Sequence, residues 1–155
     1  MTGLPEPRTR AQRLADTLAR LQEFTADAWV ATASARGGEP YLVPLTLAWL
    51  RDRIVLASDG PTRTMTNLAA TGTARLSLGT TRDVVMIDAE LEESFPVTDA
   101  PAWVADGYAG ATDWDPRETG NTYVYLVLRP TRIQAWREVN EIPDRTLMRN
   151  GTWLS

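Results

Sequence analysis

The chain contains no histidine and no cysteine, and each of its 16 basic residues is arginine. These absences remove whole chemistries. Without histidine there is no Ser-His-Asp triad, without cysteine no thiolate nucleophile, and without lysine no Schiff base. A His/Cys zinc site is excluded on the same ground, as is a Walker phosphate loop with its lysine. Arginine stays protonated near neutrality, so it serves as an anion clamp rather than a general base. Carboxylate acid–base chemistry, oxygen-ligated metals and chemistry carried by a bound organic cofactor remain.

Other absences bound the setting. No segment approaches the ~20 apolar residues of a membrane span, and the stretch Met1 to Arg10 lacks the apolar centre of a secretory signal. The lack of cysteine fits a reducing compartment, so a cytoplasmic location is expected. A net charge of -4 argues against nucleic acid as the main partner. A length of 155 residues suits one domain with a real core and no covalent staples.

What is present reads mainly as strands. Thr9 and Gln12 have the form of a capping box, followed by Ala11, Leu14, Ala15, Leu18, Leu21 and Phe24 at helical spacing. Strands are expected over Ala28 to Ala35, Tyr41 to Leu50 and Ile54 to Ser58, joined by the turns Arg36-Gly37-Gly38-Glu39 and Arg51-Asp52-Arg53. A helix from Pro61 to Ala70 stops at Gly72, and strands follow over Thr73 to Leu78 and Asp83 to Phe95. Pro101 opens a helix to about Ala109, and Thr122 to Leu128 and Arg132 to Arg137 complete the strands. The expected fold is mainly β with covering helices: a six- to seven-stranded antiparallel barrel. Its core would span residues 25–137, with an N-terminal helix over 9–24 and a C-terminal tail over 138–155. Within the tail, Arg145 to Gly151 suits an edge hairpin.

Two segments carry candidate chemistry. In Ser58-Asp59-Gly60-Pro61-Thr62-Arg63-Thr64-Met65-Thr66-Asn67 a strand ends and a helix begins, with Gly60 able to cap and Pro61 suited to the first helical position. Unpaired N–H groups, three threonine hydroxyls and one guanidinium meet there, which makes an anion site; the plainer alternative is a capped surface helix. In Tyr41-Leu42-Val43-Pro44-Leu45-Thr46-Leu47, Pro44 cannot donate to a ladder. It marks either an edge strand or backbone that faces a planar ligand.

These features occur in an order that resembles the pyridoxamine 5'-phosphate oxidase-like, FMN-binding split barrels, and most of all their actinobacterial flavin/deazaflavin oxidoreductase branch. The resemblance runs from Thr25 to Trp136. It rests on Trp29-Val30-Ala31-Thr32, Gly37-Gly38, Pro40 to Leu45, the threonine-rich helix start through Asn67-Leu68, Ala74-Arg75-Leu76 and Trp114-Asp115-Pro116-Arg117. It implies a homodimer with two flavin sites at the subunit interface. Val43, Pro44, Leu45 and Thr46 would lie along the ring. Ser58, Arg63, Thr64, Thr66 and Asn67 would approach the ribityl chain and phosphate, and Trp136 and Arg137 would arrive from the other subunit. The chain departs from the family in one respect: Thr64 stands where a second basic residue, commonly lysine, is usual.

The implied activity is hydride transfer between a bound FMN, or alternatively the deazaflavin coenzyme F420, and a small organic substrate. No catalytic side chain and no metal ligand is assigned. A non-catalytic module that sequesters a flavin is the alternative. The acidic tail of the deazaflavin would favour several arginines at the groove mouth, for which Arg51, Arg53, Arg63 and Arg82 are available. Thr64 tips the expectation toward FMN. The six tryptophans are expected in the core or in a dimer interface. Asp88, Glu90 and Glu92 are expected on the wet face of a strand. Asp113 and Asp115 are too few for a hard cation.

Overall fold

In the computed structural model, which describes residues 3–155, Thr9 caps the first helix as its sequence predicts. Its hydroxyl accepts from the Gln12 N–H, and the Gln12 side chain accepts from the Thr9 N–H. The elements that follow are α1 (Arg10–Leu21), β1 (Ala26–Ala33), β2 (Pro40–Leu50), β3 (Arg53–Asp59), α2 (Arg63–Thr71) and β4 (Thr73–Thr80). Then come β5 (Asp83–Pro96), α3 (Ala102–Ala111), β6 (Tyr123–Trp136), β7 (Thr146–Arg149) and β8 (Thr152–Trp153).

The strand order is β3-β2-β1-β4-β5-β6-β7-β8, all antiparallel, and β3 also pairs with β6. That last pairing closes six strands into a barrel; the hairpin β7–β8 lies outside the ring and extends from β6. The expected edge hairpin in the tail is therefore present. Inside the barrel, Val30, Leu47, Leu56, Leu76, Ile87 and Ile133 are fully buried. A second cluster of Val55, Ala57, Val104, Tyr108, Tyr125 and Val127 joins α3 to the outer face of β3 and β6. The continuous apolar run Ile54-Val55-Leu56-Ala57 is explained by burial on both faces.

Three local expectations are corrected. The two strands read around Arg129-Pro130-Thr131 are one fourteen-residue strand, β6. Its register with β5 shifts between Asp88 and Ala89, so a bulge absorbs Thr131 and gives Pro130 a place where no ladder donor is needed. Helix α1 buries Arg13, Thr17 and Leu21 rather than its alanines, and Phe24 is exposed. The Arg13 guanidinium turns inward because it donates to the carbonyls of Ala135, Glu141 and Pro143. Finally, α2 is capped by Thr62, not Gly60. Gly60 instead donates its N–H to the Thr122 carbonyl, so close that an added Cβ would sit 3.0 Å from that oxygen.

Candidate functional site

At the start of α2, one threonine hydroxyl organises the turn. Thr62 Oγ1 donates to the Asp59 carbonyl at 2.9 Å and accepts from the Met65 N–H at 3.3 Å. With its own proton committed, it accepts from Ser58 Oγ at 2.9 Å. The Thr66 N–H goes to the Thr62 carbonyl. Of the four N–H groups that a helix start leaves free, those of Arg63 and Thr64 remain without a protein acceptor among the described residues. The positive end of the helix dipole adds to them.

Side chains at this end divide into two sets. Arg63 is exposed, has no carboxylate partner among the described residues, and lies with its guanidinium carbon 5.3 Å from the centre of the Tyr41 ring. Thr66 is also exposed, its hydroxyl donating to the Thr62 carbonyl at 3.2 Å. Ser58, Thr64 and Asn67 are buried. Asn67 Nδ2 donates to Thr32 Oγ1 at 3.1 Å, which straps α2 onto β1. One feature opposes an anion here: Asp59 Oδ1 is shielded from solvent without a hydrogen-bond partner.

Tyr41 leads from this cradle onto β2. Residues 40–47 of β2 pair with β1, whereas β3 pairs only with Ala48, Trp49 and Leu50. The barrel is split there, and β2 has an open edge. Pro44 pairs with Trp29 and has no N–H, so it falls in the non-hydrogen-bonded set of that ladder. Leu42, Pro44 and Thr46 therefore turn their backbone groups toward the open edge. The Thr46 carbonyl bears this out by accepting from the Tyr108 hydroxyl of α3 at 3.0 Å. Burial and the neighbouring charges of Asp113 and Asp27 push the Tyr108 phenol above its ordinary range, so it stays a donor.

The side chains of Val43 and Leu45 pack against the barrel core, while Pro44 is exposed on the outer face. Beside Pro44, a cleft of about 470 Å³ is lined by Asp27, Trp29, Thr46, Ser77 and Gly79. Thr46 Oγ1 donates to Asp27 at 2.8 Å. Sequence reasoning missed Asp27, Trp29, Tyr41 and Tyr108. A signal existed for the first two, because strict alternation from Ala26 to Val30 puts Asp27 and Trp29 together on the outer face.

Trp136 and Arg137 are at the other end of β6 from Tyr123, whose partner Asp59 leads to the cradle. Within one chain, the fold does not bring them to Arg63. Arg145 lies over the Trp136 ring at 5.0 Å, and Arg137 pairs with Asp83 at 3.3 Å and Asp16 at 3.9 Å. The four arginines proposed for an acidic tail do not gather either. Arg53 pairs with Glu92, Arg82 with Glu138, and Arg51 lies over Trp103 beyond the far end of β2 from Tyr41. Asp115 is held by Arg117 at 2.9 Å.

No protein-family model matches the chain, and no curated protein matches it. Solved structures do. An F420 reductase superposes with a TM-score of 0.59 at 18% identity, over 74% of this chain and 93% of that one. A pyridoxamine 5'-phosphate oxidase-related, FMN binding protein from Nostoc punctiforme gives 0.55 at 12%, over 83% of each chain. The fold is the pyridoxamine 5'-phosphate oxidase-like split barrel. The split barrel also carries other ligands: the heme storage protein HutZ from Vibrio cholerae matches at a TM-score of 0.62 and 12% identity, over 90% of this chain and 99% of that one. No helix among the described residues is long and apolar enough to cross a membrane.

Proposed function

We propose that the protein is an FMN-dependent oxidoreductase whose cofactor lies between the α2 cradle and the open edge of β2. The observation that carries this reading is Arg63: an exposed guanidinium with no carboxylate partner among the described residues, beside two N–H groups that find no acceptor among them at a helix start. Arg63 and the Arg63 and Thr64 amides would hold the phosphate. Tyr41 and Thr46 are five residue steps apart, a span of about 17 Å in an extended strand, which suits an elongated ligand. Backbone groups of Leu42, Pro44 and Thr46 would meet the polar rim of the ring, and the bond from Tyr108 holds that edge in place. When bound, FMN supplies hydride transfer to or from a small organic substrate.

FMN is preferred over the deazaflavin coenzyme because, of the four arginines considered, Arg53 and Arg82 are neutralised and Arg51 is remote, which leaves Arg63 for a phosphate rather than several cations for an acidic tail. Heme is disfavoured by the donor set, since histidine and cysteine, two common axial ligands, are absent. Adding FMN to the purified protein should shift the visible flavin spectrum at micromolar concentration; absence of a shift with either FMN or the deazaflavin would overturn the reading. Stopped-flow reoxidation by quinones, enones and nitroaromatics separates turnover from sequestration.

A homodimer belongs to the same proposal. Leu42 is exposed on the outer wall, and only a second copy can bring a Trp136 to the Arg63 end. Arg137 joins that arrangement only by leaving Asp83 and Asp16. Light scattering after gel filtration should give a dimer. Trp136→Ala should lose the dimer or FMN binding, and retention of both would make Trp136 an ordinary packing residue.

A further inference from the structure

Among the six tryptophans, Trp29 is set apart by its surroundings. The Trp103 ring already carries Arg51 at 4.7 Å, and Trp136 carries Arg145 at 5.0 Å. Trp114 stacks edge-on against Tyr108 and Tyr123, and Trp49 and Trp153 pack against the core. Trp29 is 52% exposed and bears no cation among the described residues. Two residues before it on the same face stands Asp27, exposed, without an arginine partner among the described residues, and oriented by the hydroxyl of Thr46. Both line the same cleft of about 470 Å³.

The rest of the wall suits a positive guest. Ser77 supplies an uncharged hydroxyl, and Gly79 (φ +84°) leaves space beside Asp27. Gly79 must stay small, since a Cβ there would collide with the Arg20 guanidinium and the Asp83 carbonyl. Arg20, the nearest basic side chain, is already paired with Asp83 at 2.6 Å. Glu23 shares an adjoining hollow with Asp27 and Arg20, where it adds a second carboxylate. No arginine lines the cleft itself. An aromatic face, an unpaired carboxylate and two hydroxyls are the recognition elements for a weakly hydrated organic cation.

We infer that this cleft binds an organic ammonium ion, with Trp29 as the aromatic platform and Asp27 as the counter-charge. The cleft borders the edge proposed for the FMN ring, since Pro44 and Thr46 belong to both, but its recognition elements are Trp29 and Asp27 rather than Arg63. The chain's own indoles support the chemistry, because two of them already hold guanidinium groups.

The test uses choline and its neutral isostere 3,3-dimethylbutan-1-ol as probes of the purified protein, followed by calorimetry and tryptophan fluorescence. Choline should bind in the millimolar range or tighter, with the neutral isostere at least about tenfold weaker. Trp29→Ala should weaken choline about three- to thirtyfold while Trp29→Phe keeps part of the affinity, and Asp27→Asn should weaken it about tenfold. Glu39→Gln, which removes an acid from the β1–β2 turn, should change nothing. Melting curves and circular dichroism establish that each variant is folded. Equal affinity for the isostere, wild-type affinity in both Trp29→Ala and Asp27→Asn, or no choline binding up to about 10 mM overturns the inference. Any of these outcomes leaves the FMN titration unaffected, so the two readings fail separately.

Discussion

The two ends of β6 use arginine in opposite ways. Near Trp136, cations and carboxylates are matched: Arg8 contacts Glu141 at 2.8 Å and Asp16 at 2.9 Å, Arg20 contacts Asp83, and Arg137 reaches Asp83. Arg13 is satisfied by carbonyls. Together these tie the segment before α1 to the turn after β6. Near Tyr123, by contrast, Arg63 has no carboxylate partner and Asp59 Oδ1 no hydrogen-bond donor among the described residues. Charge that is satisfied internally builds the molecule; charge left over is available for a ligand. A tally of the 16 arginines distinguishes none of this, whereas their partners do.

The largest expected effect lies at the matched end. Glu141 is buried, and the Arg8 guanidinium holds its carboxyl down to about 2. Glu141→Ala would leave the Arg8 backbone N–H, Nε and Nη2 and the Arg137 N–H without their acceptor, with only Asp16 still bonded to Arg8, and should cost about 3–5 kcal/mol in denaturant unfolding. Because the folded pKa lies below the unfolded one, this stabilisation is complete above the ordinary glutamate range and fades as pH falls toward 2. Acid melting should therefore steepen between about pH 4.5 and 2 in the wild type and flatten in Glu141→Gln.

At the unmatched end the expected effects move from stability to binding. Arg63→Ala should leave the melting temperature nearly unchanged and weaken FMN by roughly one to two orders of magnitude, about 1.5–3 kcal/mol. An effect below about twofold would make Arg63 a solvated helix residue. The smallest change is a gain. Asp59→Asn removes a negative charge beside the cradle and should tighten FMN several-fold, on the order of 1 kcal/mol. Unchanged affinity would mean that Asp59 is too well screened to oppose an anion.

Sequence patterns carried the barrel because its strands alternate or run apolar according to which faces they bury. The Thr9 capping box, the stop at Gly72 and the tail hairpin were legible for the same local reason. The buried face of α1 was not, since Arg13 is drawn inward by carbonyls over 120 residues away in the chain. Pro130 looked like a strand end because a bulge in the β5–β6 register is invisible until both strands are in place. In the candidate site, Arg63 and Pro44 announced themselves through local chemistry. Tyr108 did not: its hydroxyl meets a carbonyl 62 positions earlier.

The closing seam of the barrel sets how the chain reaches its fold. Ile54 pairs with Leu128 across 74 intervening steps of sequence, and every other rung between β3 and β6 also spans more than 60. No local hairpin can form that seam, so its loop entropy is met only after β4, β5 and α3 have begun to assemble. Only Ile54 and Val55 are paired on both sides, to β2 and to β6, so the ring is continuous over two rungs of β3 and open beside β2 beyond them.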